Sequence, residues 1–141
     1  MRNPIYFILS SLLVLFMACS GGKGLSQAEK DYYQDLKTVH KELKSLQNFV
    51  DSSRFIKVRY EEALNKMITP TQEVLRKYKG SDFERRSSYQ NTFRSFESYV
   101  VAKGLWDQNK GMTLVNQRLA EAKSQLQQAE TNAREEQKPA Q

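Results

Sequence analysis

Apolar residues recur at steps of three and four along most of the chain, a spacing that keeps them on one face of an α-helix. The first such stretch follows Ser26 and Glu29, which have the Ser-x-x-Glu spacing of a capping box. Its apolar stripe consists of Tyr32, Leu36, Val39, Leu43, Leu46 and Val50. Because the steps alternate between four and three, the stripe favours packing against neighbouring helices at a shallow angle. We predict a first helix over about residues 26 to 51.

A second helical stretch follows Asp51 and two serines, whose side chains are typical helix caps. Its apolar positions are Ile56, Tyr60, Leu64, Met67, Val74, Leu75 and Tyr78. Pro70 interrupts the stretch, either as the first residue of a new helix or as a kink in one continuous helix. Gly80 predicts where the stretch ends, since glycine commonly terminates helices.

Two more helices are predicted in the second half of the chain. Ser81 and Glu84 repeat the capping-box spacing, and a helix from there to about Lys103 has an aromatic stripe formed by Tyr89, Phe93, Phe96 and Val100. Residues 107–111 contain Asp, Asn and Gly and predict a turn. The last helix then begins near Gly111, with apolar positions at Val115, Leu119, Ala122, Leu126, Ala129 and Ala133.

The fold class predicted from this pattern is all-α. Four segments of similar length with short connections favour an antiparallel four-helix bundle with coiled-coil-like packing, over residues 26–136. A three-helix bundle with a broken second helix is the alternative if Pro70 separates two elements. The polar residues 137–141 are expected to form a disordered tail.

The first eighteen residues have the layout of a secretory signal peptide. A charged start at Arg2 precedes a 14-residue apolar run from Ile5 to Ala18, broken only by two serines. This run is short for a membrane-spanning helix, which needs about 20 apolar residues. The pattern therefore indicates a cleaved signal peptide over residues 1–18.

The end of that run, Phe16-Met17-Ala18-Cys19, resembles the lipobox of bacterial lipoproteins. The resemblance covers about the first nineteen residues, and it implies that the Cys19 thiol receives a diacylglyceryl group with acyl chains such as palmitate. It also implies cleavage just before Cys19. Lipidation suits an exported chain with a single Cys, because an unpaired thiol is a liability in an oxidising compartment. Two alternatives to lipidation are ordinary secretion with cleavage after Ser20 and an uncleaved membrane anchor.

Residues 19–25 contain three glycines and predict a flexible tether between the lipid and the bundle. Localisation in a bacterial cell envelope, with the lipid in the plasma or outer membrane, follows from the resemblance. The membrane is thus the first expected partner.

The chain is mildly basic, with a formal net charge of +6 from 22 Lys and Arg against 16 Asp and Glu. Five cations gather around Gly80, namely Arg76, Lys77, Lys79, Arg85 and Arg86. They predict that one end of the bundle is basic and rests on anionic lipid, wall polymer or a partner protein, a solvated surface being the alternative. Nucleic acid is not an expected partner of an exported protein.

Trp106 is the other candidate interaction residue. It lies between Gly104 and Gly111, next to the predicted turn. We interpret it as a cap on the end of the core, and an exposed binding anchor is the alternative.

The residues needed for catalysis or metal binding are sparse. The only histidine, His40, is expected to be a partly exposed structural residue, and it lacks the Glu three positions earlier that di-iron bundles use. The carboxylate pairs Glu61-Glu62 and Glu135-Glu136 are interpreted as solvated helix faces. No catalytic residue, metal site or cofactor is predicted, and we do not expect an enzyme.

The function expected is that of a lipid-anchored, non-catalytic helical envelope protein that acts through surface contacts with an envelope component or a host protein. A carrier is one alternative, in which Tyr89, Phe93 and Phe96 line a cavity for an apolar ligand. A self-associating structural protein is another, suggested by the coiled-coil-like spacing.

Overall fold

A computed structural model describes residues 24–139, which form four α-helices. They are α1 (Gln27–Val50), α2 (Lys57–Tyr78), α3 (Ser87–Asp107) and α4 (Met112–Glu135), with a single turn of 3-10 helix, Asp82–Arg85, between α2 and α3. No strand occurs in this part of the chain. The predicted all-α class and the number of helices are confirmed. The predicted signal peptide, Cys19 and the last two residues lie outside the described residues.

Helix α1 starts at the predicted capping box, which is complete. The backbone N–H of Glu29 donates to Ser26 Oγ at 3.2 Å, and the backbone N–H of Ser26 donates to the Glu29 carboxylate at 2.9 Å. Each bond satisfies a donor that the start of a helix leaves unpaired. The observed bounds of α1 lie within one residue of the predicted ones at each end.

Successive helices run in opposite directions and close into a four-helix bundle. The Tyr89 hydroxyl in α3 donates to the carbonyl of Leu75 in α2 at 2.8 Å, and Ser95 in α3 donates to the carbonyl of Ala122 in α4 at 2.8 Å. Helices α1 and α4 also contact each other, which completes the ring. We call the end that holds the start of α1, residues 79–86 and the end of α4 the N-terminal end. The turns at residues 51–56 and 108–111 form the opposite end.

Three tyrosines lie fully buried in the core, and each hydroxyl has a partner. Tyr32 bonds to Ser88 at 2.7 Å, Tyr60 donates to the backbone carbonyl of Tyr99 at 2.7 Å, and Tyr99 donates to Gln47 at 2.6 Å. A buried hydroxyl without a partner is costly, so these bonds allow tyrosine to fill the core as an apolar ring. The tyrosines therefore link α1, α2 and α3 through both packing and hydrogen bonds.

Helix α2 continues through Pro70 without a break. Proline lacks a backbone N–H, so the carbonyl four residues earlier has no helical donor, but Pro70 is exposed and solvent reaches this face. The buried residues on both sides of the proline, Met67 and Thr71, pack into the same bundle. Tertiary packing thus outweighs the local signal for a new helix start.

The predicted start of the third helix at Ser81 is wrong. Ser81 Oγ donates to the Tyr78 carbonyl at 2.6 Å, and the Glu84 carboxylate accepts from the Gly80 N–H at 2.6 Å, so neither side chain is available for a capping box. Gly80 has a φ of 79°, a left-handed conformation that reverses the chain after α2. Helix α3 begins only at Ser87 and runs past Lys103 to Asp107.

Three predicted core positions are exposed rather than buried: Phe93 at 43%, Val100 at 37% and Ile56 at 52% of the residue surface. In α3 the buried face is instead centred on Ser88, Thr92, Ser95 and Ser98, together with Tyr89, Phe96, Tyr99 and Ala102. Small hydroxyl side chains let α4 approach α3 closely, and alanines line the facing side of α4. A close helix pair needs small residues at its contact, so the bulky Phe93 is placed at the edge.

No helix within residues 24–139 is long and apolar enough to span a membrane.

Candidate functional site at the N-terminal end of the bundle

The five cations predicted to cluster around Gly80 all lie at the N-terminal end, but they are not equivalent. Arg76, Lys79 and Arg85 are exposed and make no ion pair within residues 24–139. Lys77 and Arg86 are bound to carboxylates of α1. Only the three cations without an ion pair in the described residues are therefore free to meet a partner, and we refer to them as the basic turn.

Lys77 links α2 to α1. Its ammonium group lies 2.7 Å from the Asp35 carboxylate, which also accepts the Tyr78 hydroxyl at 2.7 Å. The hydrogen bond with Asp35 raises the pKa of Lys77 above its ordinary value. Although partial burial opposes it, the bonds from Lys77 and Tyr78 lower the pKa of Asp35. Lys77 thus joins α2 to α1, although its side chain remains 56% exposed.

Arg86 lies in a pocket of aromatic rings. Its guanidinium carbon is 5.0 Å from the centre of the Phe83 ring and 5.5 Å from that of Tyr33, distances typical of cation–π contacts. The same group donates to the Tyr33 hydroxyl and to the Glu29 carboxylate. The hydrogen bond from Arg86 lowers the pKa of Glu29 to about 2, so Glu29 stays charged over the physiological range. The predicted role of Arg86 as a surface contact does not fit this geometry.

The last helix caps the third one, an arrangement that the sequence did not predict. The Glu136 carboxylate accepts from the backbone N–H of Ser88 at 2.9 Å and from its hydroxyl at 2.5 Å. A negative charge there is favoured by the dipole at the start of α3. The interpretation of Glu136 as part of a solvated face is therefore wrong. The two partners are 48 positions apart in the chain, which explains why no local pattern indicated the contact.

Trp106 lies at the opposite end, where it is half-buried. Its ring centre is 5.2 Å from that of Phe55 and 6.1 Å from that of Tyr60. It therefore covers the end of the core, as the sequence interpretation favoured. The turn after it follows the predicted residues, with Asn109 at a φ of 53° and Gly111 at 90°.

His40 is buried, contrary to the expectation of partial exposure. Its Nε2 lies 2.7 Å from Thr92 Oγ1, whose own proton is donated to the Ser88 carbonyl at 2.7 Å. His40 must therefore donate from Nε2, so in its neutral form the ring carries its proton on Nε2. Burial lowers the pKa of His40 to about 4, although the charge of Glu130 opposes the shift.

Tyr89, Phe93 and Phe96 do not line one cavity. Tyr89 and Phe96 are buried in the core, whereas Phe93 faces outward. No group of three or more His, Cys, Asp or Glu side chains within residues 24–139 is arranged to hold a metal ion. The apolar stripe that suggested a carrier is thus divided between the core and the surface.

Comparisons of the chain with protein-family models, with curated proteins and with solved structures found no match. Its function is therefore inferred from the residues and their geometry alone.

Proposed function

We propose that this chain is a lipid-anchored, non-catalytic protein of a bacterial envelope, acting through contacts of its surface. The lipobox resemblance at Cys19 supports the anchor. The state of the polar core supports binding rather than catalysis, because the hydroxyls of Ser88 and Ser95 and the ring of His40 are all engaged in structural bonds. His40 also lines a surface groove between α1 and α4, but its Nε2 is bound to Thr92 there.

The observation that carries the proposal is that the tether and the basic turn share one end of the bundle. Leu25 packs against the core beside the start of α1, and the Arg86–Glu29 ion pair, 2.8 Å long, joins that start to the segment holding Arg85. Residues 19–25 span at most about 25 Å when fully extended. A lipid at Cys19 would therefore keep the basic turn close to the bilayer.

The charge of this end favours an anionic membrane surface. Each Lys or Arg near such a surface contributes about 1 kcal/mol of attraction, so Arg76, Lys79 and Arg85 together contribute about 3 kcal/mol. The exposed Asp82 in the same turn offsets part of this attraction. The bundle would then stand on its N-terminal end, with Trp106 directed away from the membrane.

Mass spectrometry of the full chain, expressed in a bacterial host and extracted with detergent, tests the anchor. We expect a polypeptide that begins at Cys19 and carries acyl chains, and incorporation of a palmitate analogue. The Cys19→Ser variant is the matched control and should incorporate none. An unmodified thiol at Cys19, or a first residue after it, would overturn the proposal.

The single tryptophan tests the orientation. In vesicles containing anionic lipid and brominated lipid, Trp106 of the lipidated protein should not be quenched, because the opposite end lies about 30 Å from the N-terminal end. A variant combining Trp106→Phe with Phe83→Trp places the fluorophore beside the basic turn, and this tryptophan should be quenched. Equal quenching of the two proteins would mean that the bundle lies on its side.

A further inference from the structure

A groove of about 880 Å³ runs along the surface between α1 and α4. It begins at the N-terminal end, where Leu25 and Gln137 line it, and extends along α1 to Lys44. Five cationic side chains line it, Lys30, Lys37, Lys41, Lys44 and Arg134, whereas only two carboxylates do, Glu42 and Glu130. The α1–α4 groove is therefore strongly basic, and it is separate from the basic turn.

The four lysines form a single row along α1. Their positions differ by seven, four and three residues, which are steps that return to the same side of a helix. From Lys30 to Lys44 the row is about 21 Å long, at a rise of 1.5 Å per residue. A row of this length cannot be covered by one small anion.

Most of this charge has no partner in the bundle. Lys44 lies 3.6 Å from Glu130, but Lys30, Lys37 and Lys41 make no ion pair with any carboxylate of residues 24–139. Like charges three and four residues apart destabilise a helix, so the mutual repulsion of Lys37, Lys41 and Lys44 opposes folding. An anionic ligand in the groove would relieve this repulsion.

From this arrangement we propose that the α1–α4 groove binds a linear anionic polymer with phosphate groups repeated along its backbone, lying parallel to α1. A chain of phosphates can meet successive lysines along the row, and each contact releases counterions. A concave groove fits a chain better than it fits a flat bilayer. The proposal rests on the proposed function for its compartment, since the polymer would belong to the envelope that holds the protein.

Titration of the detergent-solubilised full chain with long-chain inorganic polyphosphate tests the proposal by calorimetry. The groove variant combines Lys37→Gln with Lys41→Gln. The control combines Arg59→Gln with Lys66→Gln, two exposed cations on α2 that make no ion pair within the described residues. We expect the groove variant to bind at least tenfold more weakly and the control to change Kd by less than twofold.

The salt dependence adds a second readout. The logarithm of the polyphosphate binding constant falls as the logarithm of the salt concentration rises. In the groove variant, which lacks two contacts, this slope should be shallower by about 1.4, whereas in the control it should be unchanged. Urea denaturation should show that both double variants remain folded, because glutamine is a good helix former.

Three results would each overturn the proposal. Equal weakening by the two double variants would show attraction by net charge alone. Full competition by inorganic phosphate would indicate a small-anion site. Binding to phosphatidylglycerol vesicles through Lys37 and Lys41, without binding to polyphosphate, would assign the groove to the membrane. Because the titration does not depend on acylation, its failure is distinguishable from an unmodified Cys19.

Discussion

Arg86 and Glu29 form an ion pair with an N–O distance of 2.8 Å that joins the start of α3 to the first turn of α1. The two residues are 57 positions apart in the chain. Glu29 is also the second half of the α1 capping box, so one carboxylate serves a local cap and a tertiary contact. The N-terminal end is therefore a joint between helices as well as a charged surface.

The Arg86→Ala variant should lower the free energy of unfolding by about 1–3 kcal/mol, because it removes ring contacts as well as charge-assisted bonds. Arg85→Ala is the matched control, since Arg85 is exposed, and should change stability by less than about 0.5 kcal/mol. Urea denaturation measures both. If the two variants lost the same stability, the aromatic pocket around Arg86 would contribute nothing specific.

Stability should fall between about pH 6.5 and pH 4.5 because of His40. The pKa of His40 is lowered to about 4 in the folded protein, so the unfolded chain binds more protons in this window. The contribution is fully present above pH 6.5 and is lost as the pH falls, by about 3 kcal/mol in total. The lowered pKa values of Glu29 and Asp35 act mainly below this window.

The His40→Gln variant isolates this effect, since its amide can donate to Thr92 as Nε2–H does. Unfolding free energies measured between pH 4.5 and 7 should depend less on pH in the variant than in the native chain. An unchanged pH dependence would mean that His40 is not the titrating group.

The Pro70→Ala variant should stabilise the protein by about 1–3 kcal/mol, because alanine restores the missing helical hydrogen bond and removes a steric clash. Pro70 is exposed, so little packing is lost. The midpoint of urea denaturation measures the change. A decrease in stability would show that the proline ring has a packing role.

The Trp106→Ala variant should lower the unfolding free energy by about 2–3 kcal/mol, since the indole covers Phe55 and Tyr60 at the end of the core. Trp106→Phe keeps most of this packing and should cost less than half as much. Thermal unfolding followed by circular dichroism compares the two. If the Trp106→Ala variant were as stable as the native chain, the alternative interpretation of Trp106 as a binding anchor would be favoured.

The sequence alone determined the elements of this fold where the signals are local. The capping box of Ser26 and Glu29, the apolar stripe of α1 and the turn near Gly111 all depend on residues within a few positions of one another. Their spacing therefore predicted the helices and the four-helix bundle. The basic turn was also visible in this way, because its cations lie close together in the chain.

Tertiary structure decided what each side chain does. Arg86 and Arg85 are neighbours with the same charge, yet one lies among aromatic rings and the other in solvent, a difference set by Phe83, Tyr33 and Glu29. The serines and threonine of α3 are polar residues, yet the close packing of α3 against its neighbours buries them. Partners such as the Ala122 carbonyl satisfy their hydroxyl groups. Contacts between distant segments supply the hydrogen bonds that make such burial favourable, and no local spacing records them.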